Sequence, residues 1–86
     1  MQIINIGFGN LVFADRIVGI IAPDSSPVKR LIRDATERGK LVDASFGRKT
    51  QSVIVTDSDH IILSALTPET LQAKINGEET GNDADR

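Results

Sequence analysis

The chain has 86 residues, of which 40% are hydrophobic, 26% charged and 3% aromatic. This length allows one small domain, and the composition is that of a folded protein rather than a disordered one. The absence of cysteine excludes disulfides and thiolate metal sites, and the net charge of -2 argues at first against a nucleic-acid partner. Because the disulfides typical of small secreted domains are missing, we expect an intracellular, cytoplasmic protein. We expect no membrane span or signal peptide, because no apolar run reaches about 18 residues and residues 1–10 lack a signal-peptide pattern.

The first 22 residues predict two strands. Gln2–Ile6 predicts a strand that ends in the turn 7–10, where two glycines and an asparagine favour positive φ angles. Residues 11–22 predict a second strand, because they are rich in Val, Ile and Phe. The polar pair Asp15 and Arg16 interrupts this strand and predicts a bulge or a tight bend.

A helix is predicted to follow. Ser26 is a suitable N-cap, Pro27 fits the first helical position, and Gly39 is a natural end. Apolar residues recur at helical spacing on one face, namely Val28, Leu31, Ile32 and Ala35.

The second half of the chain predicts a hairpin, a further strand and a second helix. The hairpin comprises strands 41–46 and 51–56, joined by a basic loop over 47–50. Residues 60–65 predict another strand, and Thr67 predicts the cap of a short C-terminal helix. The expected fold is therefore α+β, with one small, mainly antiparallel sheet of five or six strands and two helices.

The charges are unevenly distributed. Residues 77–86 carry four acidic residues and one arginine, and we expect them to form a disordered, solvated tail. Residues 1–76, which we expect to form the single domain, carry nine basic and eight acidic residues. Within them, residues 16–49 carry eight basic and four acidic residues. One part of the domain is therefore basic despite the acidic net charge.

Asp57, Asp59 and His60 form the closest grouping of carboxylates and imidazole. A metal site would need a second histidine or a cysteine, so a turn between two strands is the favoured interpretation. The Gly7-x-Gly9 pair lacks the third glycine of a dinucleotide loop and is also interpreted as a turn. We therefore expect no catalytic site, metal, cofactor or small-molecule substrate.

The basic residues indicate a different partner. Arg48 and Lys49 lie in the predicted hairpin loop, where both charges project into solvent and suit phosphates. Arg16 lies within an otherwise apolar strand. It is either a ligand-binding residue or one half of a salt bridge, with Asp15 or Asp43 as the partner.

Four segments carry a resemblance to a known family. They are INIGFGN (4–10), APDSSPVKRLIRDA (22–35), LVDASFGRKT (41–50) and DSDHIILSALTPET (57–70). Together they resemble the bacterial RemA family of extracellular-matrix regulators, and the resemblance extends over about residues 2–75 without a detectable gap.

The resemblance implies a non-enzymatic, LytTR-like DNA-binding protein. Members of the family form ring-shaped homo-oligomers and activate biofilm-matrix genes, so double-stranded DNA and the chain itself are the expected partners. The family's DNA-binding arginines correspond to Arg16, Arg48 and Lys49. Lysine at position 49 keeps the charge but lacks the two-pronged donor of arginine. The alternative is a self-assembling structural or protein-interaction module that does not bind DNA.

Overall fold

The computed structural model describes residues 2–77, so all but Gly77 of the predicted acidic tail lies outside the described residues. The described part contains six strands and two helices, which confirms the α+β class. The strands are β1 (Ile3–Asn5), β2 (Leu11–Phe13), β3 (Ile17–Ile21), β4 (Leu41–Asp43), β5 (Ser52–Thr56) and β6 (Ile61–Ser64), and the helices are α1 (Ser26–Glu37) and α2 (Pro68–Ile75).

The strands form two sheets rather than the single predicted sheet. β1 and β2 form an antiparallel pair, and the other four strands form a sheet in the order β3-β5-β6-β4. In the larger sheet β5 is antiparallel to both β3 and β6, whereas β4 is parallel to β6. The mainly antiparallel character is therefore confirmed, and β3 and β4 are the edge strands of the larger sheet.

The predicted hairpin between residues 41–46 and 51–56 is wrong. β6 lies between β4 and β5, and β4 ends at Asp43. A short loop permits two strands to be neighbours but does not require it. The strongly apolar β6 takes the central position because Ile61 and Leu63 are buried there against helix α1.

The polar interruption of the second predicted strand is a bend. Residues Ala14–Arg16 form one turn of 3-10 helix, which separates β2 from β3. Because β2 pairs with β1 and β3 pairs with β5, this turn carries the chain from the smaller sheet into the larger one. The bend also places Arg16 at the start of an edge strand.

Both helices begin after a hydroxyl cap and have a proline among their first two residues. Helix α1 begins one residue earlier than predicted, because Ser25 rather than Ser26 is the cap and its Oγ accepts a hydrogen bond from the Val28 amide. Helix α2 begins after the predicted cap, Thr67, whose Oγ1 accepts from the Thr70 amide at 3.2 Å. The caps supply acceptors for amides that have no partner within the helix.

The larger sheet has a hydrophobic cluster on each face. One cluster lies between this sheet, the smaller sheet and α2, and it includes Ile4, Ile6, Ile54 and Leu71. The other lies under α1 and includes Val28, Ala35, Val53, Ile61 and Leu63.

A buried serine joins the two sheets. Ser64 Oγ donates to the carbonyl of Ile6 at 2.7 Å and accepts from the amide of Leu66 at 3.1 Å. These bonds satisfy polar groups in the core, so β1 and its glycine-rich turn are held firmly against the larger sheet.

Candidate nucleic-acid interface

Arg16 is held by an ion pair at the end of the β3–β5 ladder. Its Nε donates to both carboxylate oxygens of Asp57, at 2.8 and 2.9 Å. The Asp57 amide also donates to the Arg16 carbonyl at 2.9 Å. Both side chains are well exposed, 63% for Arg16 and 46% for Asp57. Among the described residues, the two terminal guanidinium nitrogens of Arg16 have no hydrogen-bond partner.

The salt-bridge interpretation of Arg16 named the wrong partners. Neither Asp15 nor Asp43 pairs with it, because the antiparallel ladder places Ile17 opposite Thr56 and so brings the next residue, Asp57, to Arg16. An ion pair and a ligand-binding role are compatible in this geometry, since Asp57 occupies only the Nε edge of the guanidinium.

Arg48 and Lys49 lie in the loop 44–51, which connects β4 to β5 and is exposed over residues 46–49. The Arg48 amide donates to the Ser45 carbonyl at 3.0 Å and closes a turn, and Gly47 has a φ of 76°. Both basic side chains are exposed. Their charges therefore project from a backbone that is fixed by a turn rather than from a predicted hairpin tip.

Asp43 fixes the start of this loop. Its Oδ1 accepts a 2.6 Å hydrogen bond from the Ser45 hydroxyl and a 3.0 Å bond from the Ser45 amide. These bonds lower the pKa of Asp43 below its ordinary value, the hydroxyl more than the amide, and slight desolvation opposes them. The bonds to the ionised carboxylate end β4 and turn the chain towards Phe46.

An aromatic pair lies beside Arg48 and was not predicted from the sequence. The rings of Phe8 and Phe46 stack with centroids 5.1 Å apart and an interplanar angle of 25°. The Arg48 guanidinium carbon lies 5.7 Å from the Phe8 ring centroid, within the range of a cation–π contact. The loop 44–51 and the turn 7–10 therefore form one surface.

The sequence feature that could have indicated this pair is the glycine beside each phenylalanine. Phe8 lies between two glycines and has a φ of 54°, and Phe46 precedes Gly47 and has a φ of 57°. Glycines favour tight turns in which a neighbour also takes an unusual conformation. Their positions, 38 residues apart in the sequence, did not indicate that the two turns would meet.

The chain does not bring Arg16 together with Arg48 and Lys49. Arg16 lies where β5 ends, beside Thr56, whereas the loop 44–51 leads into the start of β5 at Ser52. Four steps along a strand cover about 13 Å. The three candidate residues therefore lie at two separate basic points of the described chain, one beyond each end of β5.

The side chains of Asp57, Asp59 and His60 each have a different partner and do not form one site. Asp57 pairs with Arg16, Asp59 pairs with Arg38 at 3.0 Å, and His60 Nδ1 lies 2.8 Å from Ser58 Oγ. Over residues 2–77, no three His, Asp or Glu side chains are arranged to hold a metal ion. The segment is the turn between β5 and β6.

Large apolar side chains are exposed on the smaller sheet, on both edge strands of the larger sheet and at Phe46. On the outer face of the β1–β2 sheet, Ile3, Leu11 and Phe13 are exposed. On edge strand β3, Val18 is 69% exposed and borders a groove of about 390 Å³ between β3 and α2. These surfaces expose apolar side chains to solvent in a small domain.

In the described part of the chain, neither helix has the length and apolar character needed to cross a membrane.

Comparison with known proteins places the chain in a family of regulators. The family model described as "RemA-like: Extracellular matrix regulatory protein A-like" matches residues 3–75. The chain therefore belongs to the RemA-like family, as its resemblance indicated.

Three similar relatives span most of this chain and most of their own lengths. The relative from Acetivibrio thermocellus is 60% identical over 92% of this chain and 85% of its own length. Those from Alkaliphilus metalliredigens and Geobacillus thermodenitrificans are 54% and 57% identical, over 99% and 92% of this chain and 91% of each relative. All three are named "Putative regulatory protein", a name that indicates regulation.

Proposed function

We propose that this protein is a DNA-binding transcriptional regulator that acts as a ring-shaped homo-oligomer. Double-stranded DNA is contacted by Arg16, Arg48 and Lys49, repeated around the ring. Membership of a family named for the regulation of extracellular matrix supports a role in activating biofilm-matrix genes in the cytoplasm. The fold is proposed to be of the LytTR type, and the protein has no enzymatic activity.

One observation carries this proposal, namely the state of Arg16. Its Nε is fixed by both oxygens of Asp57, while its terminal nitrogens have no hydrogen-bond partner among the described residues and the side chain is 63% exposed. A guanidinium held in this way loses less side-chain entropy when it binds than a free one does. Its terminal nitrogens suit two phosphate oxygens, or the O6 and N7 acceptors of guanine.

The second basic point supports phosphate binding in the same way. Arg48 and Lys49 extend from a loop that Asp43 and a backbone turn hold in place. Lys49 attracts phosphate as a point charge and does not form the paired bonds that arginine forms. We therefore expect base-edge contacts, where they exist, to come from the two arginines.

Oligomerisation supplies the affinity that a single chain lacks. Two basic points beyond opposite ends of β5 neutralise few phosphates, whereas linked copies bind the same DNA at high effective concentration. The exposed apolar groups on the β1–β2 sheet and around Val18 are the surfaces that support self-association. A basic array repeated around a ring favours bent DNA.

The alternative function is that of a self-assembling module without DNA binding. The ion pair between Arg16 and Asp57 favours this alternative, because it gives the arginine a structural partner within the chain. In that case Arg16 supports the fold or the subunit interface, and its loss disturbs assembly.

The two functions are separated by replacing the arginines. Arg16→Ala and Arg48→Ala are compared with Arg33→Ala, which removes the same charge from the exposed surface of α1. Binding to duplex DNA is measured by fluorescence anisotropy, and the mass of the oligomer by light scattering. The proposed function predicts that Arg16→Ala and Arg48→Ala keep the mass of the oligomer but bind DNA at least tenfold more weakly, and that Arg33→Ala changes binding little.

A loss of the oligomer in Arg16→Ala would instead support the structural alternative. Equal losses of affinity in all three variants would mean that total charge, rather than these positions, determines binding. Capture of genomic DNA fragments by the wild-type protein would then identify the target sites.

A further inference from the structure

The aromatic pair formed by Phe8 of the turn 7–10 and Phe46 of the loop 44–51 supports an inference beyond the basic residues. Phe46 is 76% exposed, and both Phe8 and Phe46 have left-handed backbone conformations with φ near 55°. Bulky side chains rarely adopt this conformation, which costs on the order of 1–3 kcal/mol for each residue. Both left-handed backbones therefore cost stability, and the exposure of the Phe46 ring adds to this cost.

Hydrogen bonds around the pair hold both strained turns in place. Asn10 Nδ2 donates to the Gly7 carbonyl at 2.9 Å and lies 3.4 Å from the Ala44 carbonyl, so it links the turn 7–10 to the loop 44–51. Asp43 and Ser45 fix the other side. The rings are consequently part of a firm support rather than of mobile loop tips.

The Phe8 ring contacts both the Phe46 ring and the charged side chain of Arg48. It lies against the Phe46 ring and, at 5.7 Å, under the guanidinium of Arg48. No hydrogen bond or ion pair within residues 2–77 involves the Arg48 side chain, so the ring is the contact that restrains its position. A guanidinium over a ring face keeps its N–H groups at the edge, where they remain available to acceptors.

We propose that Phe8, stacked on Phe46, is a positioning residue that holds Arg48 for binding to DNA phosphates. This inference rests on the proposed function. Phe8 acts through Arg48 and does not itself contact DNA. Arg48 is thus positioned by an aromatic ring, whereas Arg16 is positioned by the carboxylate of Asp57. The two basic points of the chain thus use different means to orient an arginine.

A double-mutant cycle tests the inference. DNA affinity is measured for the full-length wild type, Phe8→Leu, Arg48→Ala and the double variant, with thermal unfolding and oligomer mass measured in parallel. A cation–π contact at an exposed site corresponds to a change of about two- to fivefold in affinity. We expect Phe8→Leu to weaken binding by this factor in the wild-type background and to have no effect when Arg48 is absent.

Two further variants guard against a merely structural effect. Phe8→Tyr keeps a ring face and should retain wild-type affinity. Phe46→Leu alters the exposed partner ring, so it should weaken DNA binding without unfolding the chain, and again only when Arg48 is present.

The possible outcomes are distinct. If Arg48→Ala weakens binding while Phe8→Leu and Phe46→Leu leave it unchanged, the positioning inference is wrong and the proposed function stands. If Phe8→Leu weakens binding equally with and without Arg48, Phe8 acts independently of Arg48 and the inference is overturned. If Arg48→Ala itself has no effect, the inference fails together with the proposed role of Arg48.

Discussion

Arg16 and Asp57 form an ion pair across the open end of the β3–β5 ladder, although 41 residues separate them in the sequence. Asp59 lies two residues further along the same turn and pairs with Arg38, which follows helix α1. Because these two carboxylates lie in one turn and each pairs with a different arginine, a substitution at Asp59 is a matched control for the same substitution at Asp57.

We predict that Asp57→Asn binds DNA up to about fivefold more weakly than Asp59→Asn. Both substitutions remove one negative charge, which by itself favours binding, but only the first loosens Arg16. Asparagine also suits the left-handed backbone at position 59, where φ is 70°. Anisotropy titrations at one salt concentration measure the difference. Equal affinities would show that the ion pair does not orient Arg16 for DNA.

The region around Arg16 could be predicted from the sequence only in part. The bend at residues 14–16 was predictable, because a polar pair in an apolar strand is a local signal. The partner of Arg16 was not predictable, because it depends on the register of two strands that are distant in the chain. The same limit explains the wrong hairpin, since no feature of residues 41–56 indicates that β6 lies between the two strands.

The candidate site was predictable in part for a similar reason. The exposure of Arg48 and Lys49 follows from the local composition of their loop. The stacking of Phe8 on Phe46 depends on the packing of two sheets, which Ser64 and Ile6 join through a buried hydrogen bond. Only the glycines beside each phenylalanine gave a local indication of unusual turns.

The loop 44–51 should lose stability when Asp43 is replaced. We predict that Asp43→Ala lowers the free energy of unfolding by about 1 kcal/mol at pH 7, because two hydrogen bonds to the carboxylate are lost. The pKa of Asp43 is lowered in the folded chain, so this contribution is complete above the ordinary aspartate pKa of about 3.9. It is lost as the pH falls through the lower, folded value.

Urea unfolding at several pH values checks this prediction, with Asp24→Ala as the control. Asp24 is exposed and makes no hydrogen bond with the described residues through its side chain. The difference between Asp43→Ala and the wild type should shrink towards zero in acid. A difference that persists unchanged in acid would mean that the ionised carboxylate does not stabilise the loop.

Self-association should depend on the apolar edge of β3. We predict that Val18→Asp reduces the mass of the oligomer and weakens DNA binding, because a charge buried between subunits is costly and linked contacts are lost. Val18→Thr, which has nearly the same shape, should reduce the mass less. Light scattering measures both variants. An unchanged mass in Val18→Asp would place the subunit interface elsewhere on the chain.

The salt dependence of DNA binding tests the central claim most directly. The logarithm of the binding constant of the wild type for a duplex is measured against the logarithm of the salt concentration, together with the triple variant Arg16→Ala, Arg48→Ala and Lys49→Ala. We predict a steep linear fall for the wild type, with a slope of about −0.9 for each phosphate neutralised, and a much flatter line for the triple variant. No binding at low salt, or the same slope in both proteins, would contradict DNA recognition by these three residues.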